Sequence, residues 1–239
     1  DDGETPSITQ LNNIAAAAGV VTASLAANSL SNLGALTTAG TDVITITVND
    51  GEGDNLNAED LSALGGKSAG TVTVSNAVNI VGTTAQVTAA LVTDATKVVA
   101  TSATVALDVG ETPSISALND IADETDGAVT ATLAANSLSN LGSLTTAGTD
   151  VITITVNDGA GDPLSATNLS TLGGKTAGTV TVSEAVVISG TTAQVTAALV
   201  TDATKVVAGS ALVTISDSEG DNLNAEDLSA IGGKTTGAV

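Results

Sequence analysis

The sequence predicts an α/β repeat fold, a parallel-strand solenoid in which each short repeat of about 27 residues is one strand plus one short helix. Three observations predict it. The 239 residues include no aromatic side chain although 42% are hydrophobic, and a core of small aliphatic residues suits thin, regular layers. Long segments recur along the chain. Within these long repeats of about 108 residues, runs of alternating apolar and polar residues recur about every 27 residues.

The long repeat spans close to 108 residues. The segment GTTAQVTAALVTDATKVVA occupies 82–100 and recurs letter for letter at 190–208, and LTTAGTDVITITVNDG begins at Leu36 and again at Leu144. Identity at this level indicates duplication within the gene. We therefore predict a single continuous solenoid over 1–239. It contains an internal duplication, 3–108 and 109–217, and a partial further repeat at 218–239.

Eight runs of alternating apolar and small polar residues predict the strands. The runs begin at Val20, Val43, Gly70, Ala103, Ala128, Val151, Gly178 and Ala211. In the run VITITV, the alternation predicts that Ile44, Ile46 and Val48 are buried. In the run GTVTVS, it predicts that Val72 and Val74 are buried and that the hydroxyl side chains beside them face outward.

Segments between the strands carry helix signals, a capping residue followed by apolar residues three or four apart. They are SITQLNNI from Ser7, NAEDLSALGG from Asn57, TTAQVTAALV from Thr83 and SATNLSTLGG from Ser165. In the second segment we expect Asn57 to cap the helix, with Asp60 at its third position, and Gly65 and Gly66 to end it in a left-handed cap. Strands joined by helical crossovers pair in parallel, through right-handed connections.

Charge and composition exclude several classes of function. The chain has 26 acidic residues against 5 basic ones, for a formal net charge of −21, so a nucleic-acid partner is not expected. No run of 18 apolar residues is present to span a membrane. Because the chain has no His or Cys, catalysis would need a Ser–Lys pair or paired carboxylates, and no spacing indicates either. We expect no enzymatic activity.

Three acidic turns are the candidate binding sites. The motif NDGEGDNLNAED begins at Asn49, and it returns as NDGAGDPLSATN at Asn157 and as SDSEGDNLNAED at Ser216. Alternate acids in a glycine-rich turn before a helix resemble an EF-hand loop, since hard cations need several converging oxygens. The candidate calcium ligands are Asp50, Glu52, Asp54, Asp60, Asp158, Asp162, Asp217, Glu219, Asp221 and Asp227. The alternative is a solvated turn with a helix cap, because the EF-hand spacing is not matched.

Two other motifs have simpler interpretations. GGKS at Gly65, with GGKT at Gly173 and Gly232, resembles the end of a phosphate-binding loop, but leucine stands where that motif needs its first glycine. We interpret its lysine as a positive charge at a helix C-terminus. The threonine rows of TVTVS and ITITV would suit a flat ice-binding face, although β-branched residues favour strand surfaces in any protein.

Segments such as NAEDLSALGGKSAGTVTVS and GTTAQVTAAL resemble the Ala/Thr-rich repeats of very large secreted bacterial and cyanobacterial surface proteins. These proteins are adhesin-like, and many are grouped with the calcium-binding repeats-in-toxin proteins. The resemblance covers nearly the whole chain, but the glycine-rich calcium nonapeptide of that group is absent from this sequence. The resemblance implies export, an extracellular or cell-surface location, and a structural or adhesive role.

Together these observations predict a structural extracellular repeat protein, the self-assembling building block of a filament, sheath or surface layer, stabilised by calcium. Neither end of the sequence shows a polar cap, and uncapped solenoid ends tend to stack. We therefore expect a homo-oligomer formed by end-to-end or lateral stacking. One alternative is a spacer or extender region of a large adhesin or toxin-like protein. A more remote alternative is an ice-binding solenoid.

Overall fold

The computed structural model describes residues 5–204, 206–219 and 223–239. Its architecture is mixed α/β, with sheets built from parallel strand pairs. The chain separates into two compact units. Among the described residues, unit 1 comprises 5–111 and 120–129, and unit 2 comprises 112–119 together with the described part of 130–239. The α/β class and the parallel pairing that the sequence predicts are confirmed.

Short helices alternate with short strands along the chain. The helices are α1 (Ile8–Ala17), α2 (Leu30–Leu33), α3 (Ala58–Gly65), α4 (Thr84–Leu91), α5 (Ile115–Ala122), α6 (Leu138–Leu141), α7 (Ala166–Gly173), α8 (Thr192–Val195) and α9 (Ala225–Gly232). A π-helical turn follows at Thr196–Val200, and a 3₁₀ turn at Asp202–Thr204. The strands are β1 (Thr22–Ser24), β2 (Val43–Val48), β3 (Asn55–Asn57), β4 (Val72–Val74), β5 (Asn79–Gly82), β6 (Val98–Val99), β7 (Thr104–Leu107), β8 (Val129–Thr132), β9 (Val151–Val156), β10 (Pro163–Ser165), β11 (Val180–Val182), β12 (Val187–Gly190), β13 (Val206–Val207) and β14 (Leu212–Ile215).

In unit 1 the strands form two parallel sets. The first set has the order β1-β2-β4-β6, and in the second β3 pairs with β5 and β5 with β7. Paired residues lie one short repeat apart, since Ile46 is opposite Val72 and Val72 is opposite Val98. Each short repeat from β2 onward therefore adds one strand to each set, and the repeat of β1 adds a strand to the first set alone.

Unit 2 follows the same plan. In its first set β8 pairs with β9, β9 with β11 and β11 with β13. In its second set the order is β10-β12-β14. The register matches that of unit 1, because Ile154 is opposite Val180 and Val180 is opposite Val206.

Most short repeats therefore hold two strands and one helix, and for these the prediction of a single strand was wrong, whereas the repeats of β1 and β8 hold one strand and one helix. The missed strands include β3, β5, β10 and β12, which have only three or four residues each. A run this short shows too little alternation to be separated from a turn. The prediction of one continuous solenoid over 1–239 stays a prediction.

Burial of the long strands agrees with the sequence pattern. Ile44, Ile46 and Val48 are fully buried, and Val72 and Val74 are 1% and 7% exposed. Leucine, isoleucine, valine and alanine make up the apolar core. Small aliphatic side chains are sufficient here because neighbouring repeats stack in register and the space between them is regular.

The four predicted helix starts are confirmed. Ser7, Asn57, Thr83 and Ser165 have extended backbones, and each accepts a hydrogen bond from a backbone N–H in the first turn of its helix. These bonds satisfy N–H groups that have no partner within the helix.

The predicted left-handed end of α3 was wrong. Gly66 has φ −67° and ψ −8°, which is right-handed helical backbone. The glycine that the structure requires is Gly65, since a Cβ built there would lie 2.0 Å from the carbonyl oxygen of Thr96. The GG pair therefore allows two neighbouring repeats to approach closely, and the backbone does not reverse its hand.

Candidate functional site: the acidic turns

The first acidic turn connects β2 to β3 and is closed by its own aspartate. The Asp54 carboxylate accepts a hydrogen bond from the Gly51 N–H at 2.8 Å. Gly53 has φ +78°, a backbone region that favours glycine, and its N–H donates to the carbonyl oxygen of Ala77 at 2.8 Å. The turn is thus fixed both internally and to the next repeat.

Asp50, at the start of this turn, caps a helix of the preceding repeat. Its Oδ2 accepts a hydrogen bond from the Leu30 N–H at 2.7 Å, and Leu30 is the first residue of α2. That N–H has no partner within the helix, and the positive end of the helix dipole favours a carboxylate. Asp50 therefore links two adjacent repeats.

Other repeats use the same link. Asp158 accepts from the Leu138 N–H at 2.7 Å. Asp217 accepts from both the N–H and the hydroxyl of Thr192, at 2.7 and 2.8 Å. Leu138 and Thr192 begin α6 and α8. The carboxylates lie 20 and 25 residues after the helix starts that they cap, so each joins one repeat to the next.

Glu111 provides a fourth link of this kind, which sequence reasoning did not identify. Its Oε2 accepts a hydrogen bond from the N–H of Thr84, the first residue of α4, at 2.9 Å. This backbone hydrogen bond holds the pKa of the Glu111 carboxyl below its ordinary value. Glu111 stands outside the NDGEGD motif, and the acid of the motif GETPSI gave no signal of a ligand or of a cap.

The second copy of the turn repeats the geometry of the first. Asp162 accepts from the Gly159 N–H at 2.8 Å, and Gly161 has φ +84°. The copy keeps this geometry although Ala160 replaces the glutamate of the first turn. The internal bonds of the turn therefore do not depend on that glutamate.

The remaining predicted ligands do not join these contacts in one cluster. Glu52 and Glu219 are exposed in their turns, Asp60 and Asp227 lie in the first turns of α3 and α9, and Asp221 lies outside the described residues. Asp50 and Asp60 line one open cavity of about 490 Å³ in unit 1. Within 5–204, 206–219 and 223–239, no three acidic side chains converge in a group that would hold a metal ion.

Lysines of the GGK motif bind the C-terminal ends of α2 and α6, whose first N–H groups are bound by Asp50 and Asp158. Lys67 Nζ donates to the carbonyl oxygen of Gly34 at 2.7 Å, and Lys175 Nζ donates to that of Gly142 at 2.9 Å. These glycines are the C-caps of α2 and α6. The lysine is thus a charge at a helix C-terminus, as the sequence predicts, but the helix belongs to the preceding repeat.

Together, the acid and the lysine hold a helix too short to be stable alone. The helix α2 has four residues, and an isolated helix of that length does not form in water. Asp50 binds its first N–H, and Lys67 binds the carbonyl oxygen of Gly34, the residue that caps its C-terminal end. The side chains of the following repeat therefore supply the hydrogen bonds that the helix itself lacks.

A buried hydroxyl four residues before β4 and before β11 forms a further link between repeats, and sequence reasoning missed it. Thr176 is 1% exposed. Its Oγ1 accepts from the N–H groups of Ile152 and Gly178, both at 2.8 Å, and donates to the carbonyl oxygen of Ile152 at 2.8 Å. Ser68 makes the same three contacts with Ile44 and Gly70.

The signal for this link is present in the sequence. A hydroxyl residue, any residue and a glycine precede Val72, Val129, Val180 and Val239 as SAG, TDG, TAG and TTG. Gly70 is required at the third position because a Cβ there would lie 2.4 Å from the carbonyl oxygen of Ile44. The triplet was not recognised because Ser, Thr, Asp and Gly are common in any turn, so its recurrence at the same position of several repeats was the only signal.

Two asparagines replace missing backbone partners in a similar way. Asn12 donates to the carbonyl oxygen of Ala35 at 2.9 Å and accepts from the N–H of Thr37 at 2.8 Å. Asn119 makes the same pair of bonds with Ser143 and Thr145, at 3.0 and 2.9 Å. Each side-chain amide thus acts as a peptide group toward the next repeat.

Comparisons with known proteins assign no family to this arrangement. A scan against protein-family models and searches of curated proteins and of solved structures found no match to this chain. In the described part of the chain, no helix is both long and apolar enough to cross a membrane. The function must therefore be argued from the structure itself. Its main polar feature is a set of side chains that hydrogen-bond to backbone groups of a neighbouring repeat.

Proposed function

We propose that this chain is a structural repeat protein, an extracellular building block of a filament, sheath or surface layer, and not an enzyme. In this proposal the short repeats stack as an α/β solenoid with right-handed crossovers. The observation that carries the proposal is the repeated capping of one repeat's helix by the next repeat, at Asp50, Asp158 and Asp217. Polar side chains used in this way serve the architecture of the protein itself.

The buried polar groups give further support. Ser68 and Thr176 have their hydroxyls fully engaged by the backbone of the preceding repeat. A binding or catalytic site commonly leaves polar groups pointing into a pocket, whereas these groups are used up in joining repeats. The resemblance to Ala/Thr-rich repeats of secreted surface proteins supports an extracellular or cell-surface location.

Assembly of the purified chain tests this function. We expect concentrated protein at neutral pH and physiological salt to form fibres or sheets visible by negative-stain electron microscopy. The assemblies should dissolve on dilution and keep the circular dichroism of the folded chain, which separates them from aggregates of unfolded protein. A chain that remains monomeric at millimolar concentration would contradict the proposal and favour the spacer alternative.

In this proposal calcium stabilises the stacked repeats, and the overall negative charge of the chain supports that role. The formal net charge is −21, and stacking the repeats at a strand spacing of about 4.8 Å would bring like charges of neighbouring repeats within the Debye length of about 8 Å at physiological ionic strength. A divalent cation near the acidic turns would reduce that repulsion. Asp50 and Asp60 line the same cavity in unit 1, together with Lys67, and we place the cation beside these two carboxylates.

The calcium site is tested by repeating the assembly experiment, and measuring thermal unfolding, in calcium and in a chelator. The thermal transition should be higher in calcium than in a chelator at matched ionic strength, and assembly should increase in parallel. Asp60→Asn should reduce the calcium effect, and it is well matched because Asn168 stands at the equivalent position of α7. An unchanged transition temperature would remove calcium and leave the structural function standing.

A further inference from the structure

The second acidic turn contains the only Asp–Pro bond of the sequence. Of the three prolines, Pro6 and Pro113 follow threonines, and Pro163 follows Asp162. Proline forms a tertiary amide, whose nitrogen accepts a proton and leaves more readily than the nitrogen of an ordinary peptide bond. The aspartate before it supplies a carboxyl group that can close a five-membered ring on its own carbonyl carbon. Asp162–Pro163 is therefore the peptide bond of this chain that is most reactive toward a group of its own.

Two backbone N–H groups hold Asp162 in the fold. The carbonyl oxygen of Asp162 accepts a hydrogen bond from the N–H of Val187, in the next repeat, at 2.9 Å. Its side-chain Oδ2 accepts from the Gly159 N–H at 2.8 Å. Asp162 and Pro163 are exposed, so water reaches the bond between them. The fold thus brings a carboxyl group, a donor to the carbonyl oxygen and solvent to one peptide bond.

The Val187 N–H lies where negative charge develops when the carbonyl carbon of Asp162 is attacked. A donor that is already in place stabilises this charge without reorganisation, and one such donor is worth roughly a hundredfold or more in rate. In the unfolded chain this donor is replaced by mobile water. The folded chain should therefore break the bond faster than the unfolded chain does.

Protonation of the Asp162 carboxylate decides when the bond can break. As a carboxylate, this group accepts from the Gly159 N–H and has no proton to give to the proline nitrogen. A protonated carboxyl is a weaker acceptor, so acid both releases it from Gly159 and supplies the proton. The other acids nearby are Asp158, which is bound to the Leu138 N–H at 2.7 Å, and Glu184, which is exposed before β12.

We propose that the chain cuts itself between Asp162 and Pro163 in acid. The Asp162 carboxyl oxygen bonds to the carbonyl carbon of the same residue, the C–N bond to Pro163 breaks, and the carboxyl proton passes to the proline nitrogen. The cyclic anhydride that remains takes up a water molecule and opens to an aspartate C-terminus. Each chain reacts once, so the reaction is not an enzymatic activity, and it does not depend on the proposed structural function.

The first acidic turn has the same geometry without the proline. The carbonyl oxygen of Asp54 accepts from the Asn79 N–H at 2.8 Å, and its carboxylate accepts from the Gly51 N–H at 2.8 Å. Asn55 follows Asp54, so the leaving nitrogen there is that of a secondary amide. We expect the Asp54–Asn55 bond to stay intact under conditions that cut Asp162–Pro163.

Intact-mass spectrometry of the purified chain tests the proposal. The chain is held at the lowest pH at which circular dichroism still shows it folded, and it should yield the fragments 1–162 and 163–239. At neutral pH it should stay whole. Cutting of the folded chain should be at least about tenfold faster than in urea at the same pH, because only the fold supplies the Val187 donor. Equal or slower cutting of the folded chain would overturn the proposal.

Exchanging one residue between the two turns gives matched variants. Pro163→Asn copies the first turn and should abolish the cut, whereas Asn55→Pro copies the second turn and should create a new cut after Asp54. Each new residue already occupies the equivalent first position of β10 or β3 in the other turn, so both variants should fold. A folded Asn55→Pro chain that is cut only after Asp162 would contradict the role of the turn.

Asp162→Asn separates self-cleavage from a contaminating protease. Its amide has neither the nucleophilic carboxyl oxygen nor the proton, so the chain should stay whole in acid. Cutting at the same bond in this variant would assign the reaction to a protease and overturn the proposal. The comparison of folded with urea-unfolded wild-type chain needs no variant, and it decides the matter if the substituted chains fail to fold.

Discussion

Replacing Gly65 by alanine is expected to destabilise the chain by about 3 kcal/mol, the upper end of the usual overpacking cost. A Cβ at this position would lie 2.0 Å from the carbonyl oxygen and 2.6 Å from the carbonyl carbon of Thr96. These are backbone atoms of the next repeat, so no side chain can rotate away to make room. Either α3 or the following segment must shift, and contacts between the two repeats are lost.

Gly232→Ala is the matched control for this prediction. Gly232 is the glycine of the third GGK motif and also ends a helix, α9, but nothing lies within 4 Å of its added Cβ. Alanine favours helix over glycine by up to about 1 kcal/mol, so this variant should be neutral or slightly stabilising. Urea unfolding of both variants measures the difference. Equal stability of the two would show that the close approach at Gly65 is not tight.

Thr176→Ala is expected to cost about 2 kcal/mol, because it leaves buried backbone groups without partners. The hydroxyl accepts from the N–H of Ile152 and donates to its carbonyl oxygen, both at 2.8 Å. Thr176 is 1% exposed, so water cannot replace these bonds without opening the structure. Urea unfolding again gives the free energy.

Thr176→Ser separates the hydroxyl from the methyl group that Thr176→Ala also removes. Ser68 makes the same hydrogen bonds at the equivalent position of the first copy, so serine fits this environment. We expect Thr176→Ser to lie within about 1 kcal/mol of wild type, the range of losing one buried methyl group. A loss as large as that of alanine would assign the effect to packing and contradict the role of the hydroxyl.

Much of the local structure could be predicted from the sequence, because it depends on neighbouring residues. The alternation in VITITV identified the buried face of β2, with Ile44 and Ile46 fully buried. The capping signals at Ser7 and Thr83 identified the starts of α1 and α4, each with a capping box. These signals act over two to four residues, so the sequence displays them directly.

Links between repeats could not be predicted in the same way. Asp50 has the sequence context of a cation-binding loop, and its partner, the N–H of Leu30, lies 20 residues earlier. Only the register of the stacked strands brings the two together, and register depends on contacts along the whole sheet. The same reason applies to Lys67 and Gly34, which are 33 residues apart.

Amide hydrogen exchange of the helix starts tests the central claim, that acids of one repeat cap the helices of the repeat before it. First-turn N–H groups have no partner within their helix and ordinarily exchange fast. Here the amides of Leu30 and Leu138 should exchange at least about tenfold more slowly, since a hydrogen bond to a carboxylate is worth about 1.5–3 kcal/mol. Asp50→Ala should release Leu30 and leave Leu138 protected by Asp158. Fast exchange of both amides in the wild-type chain would contradict the account.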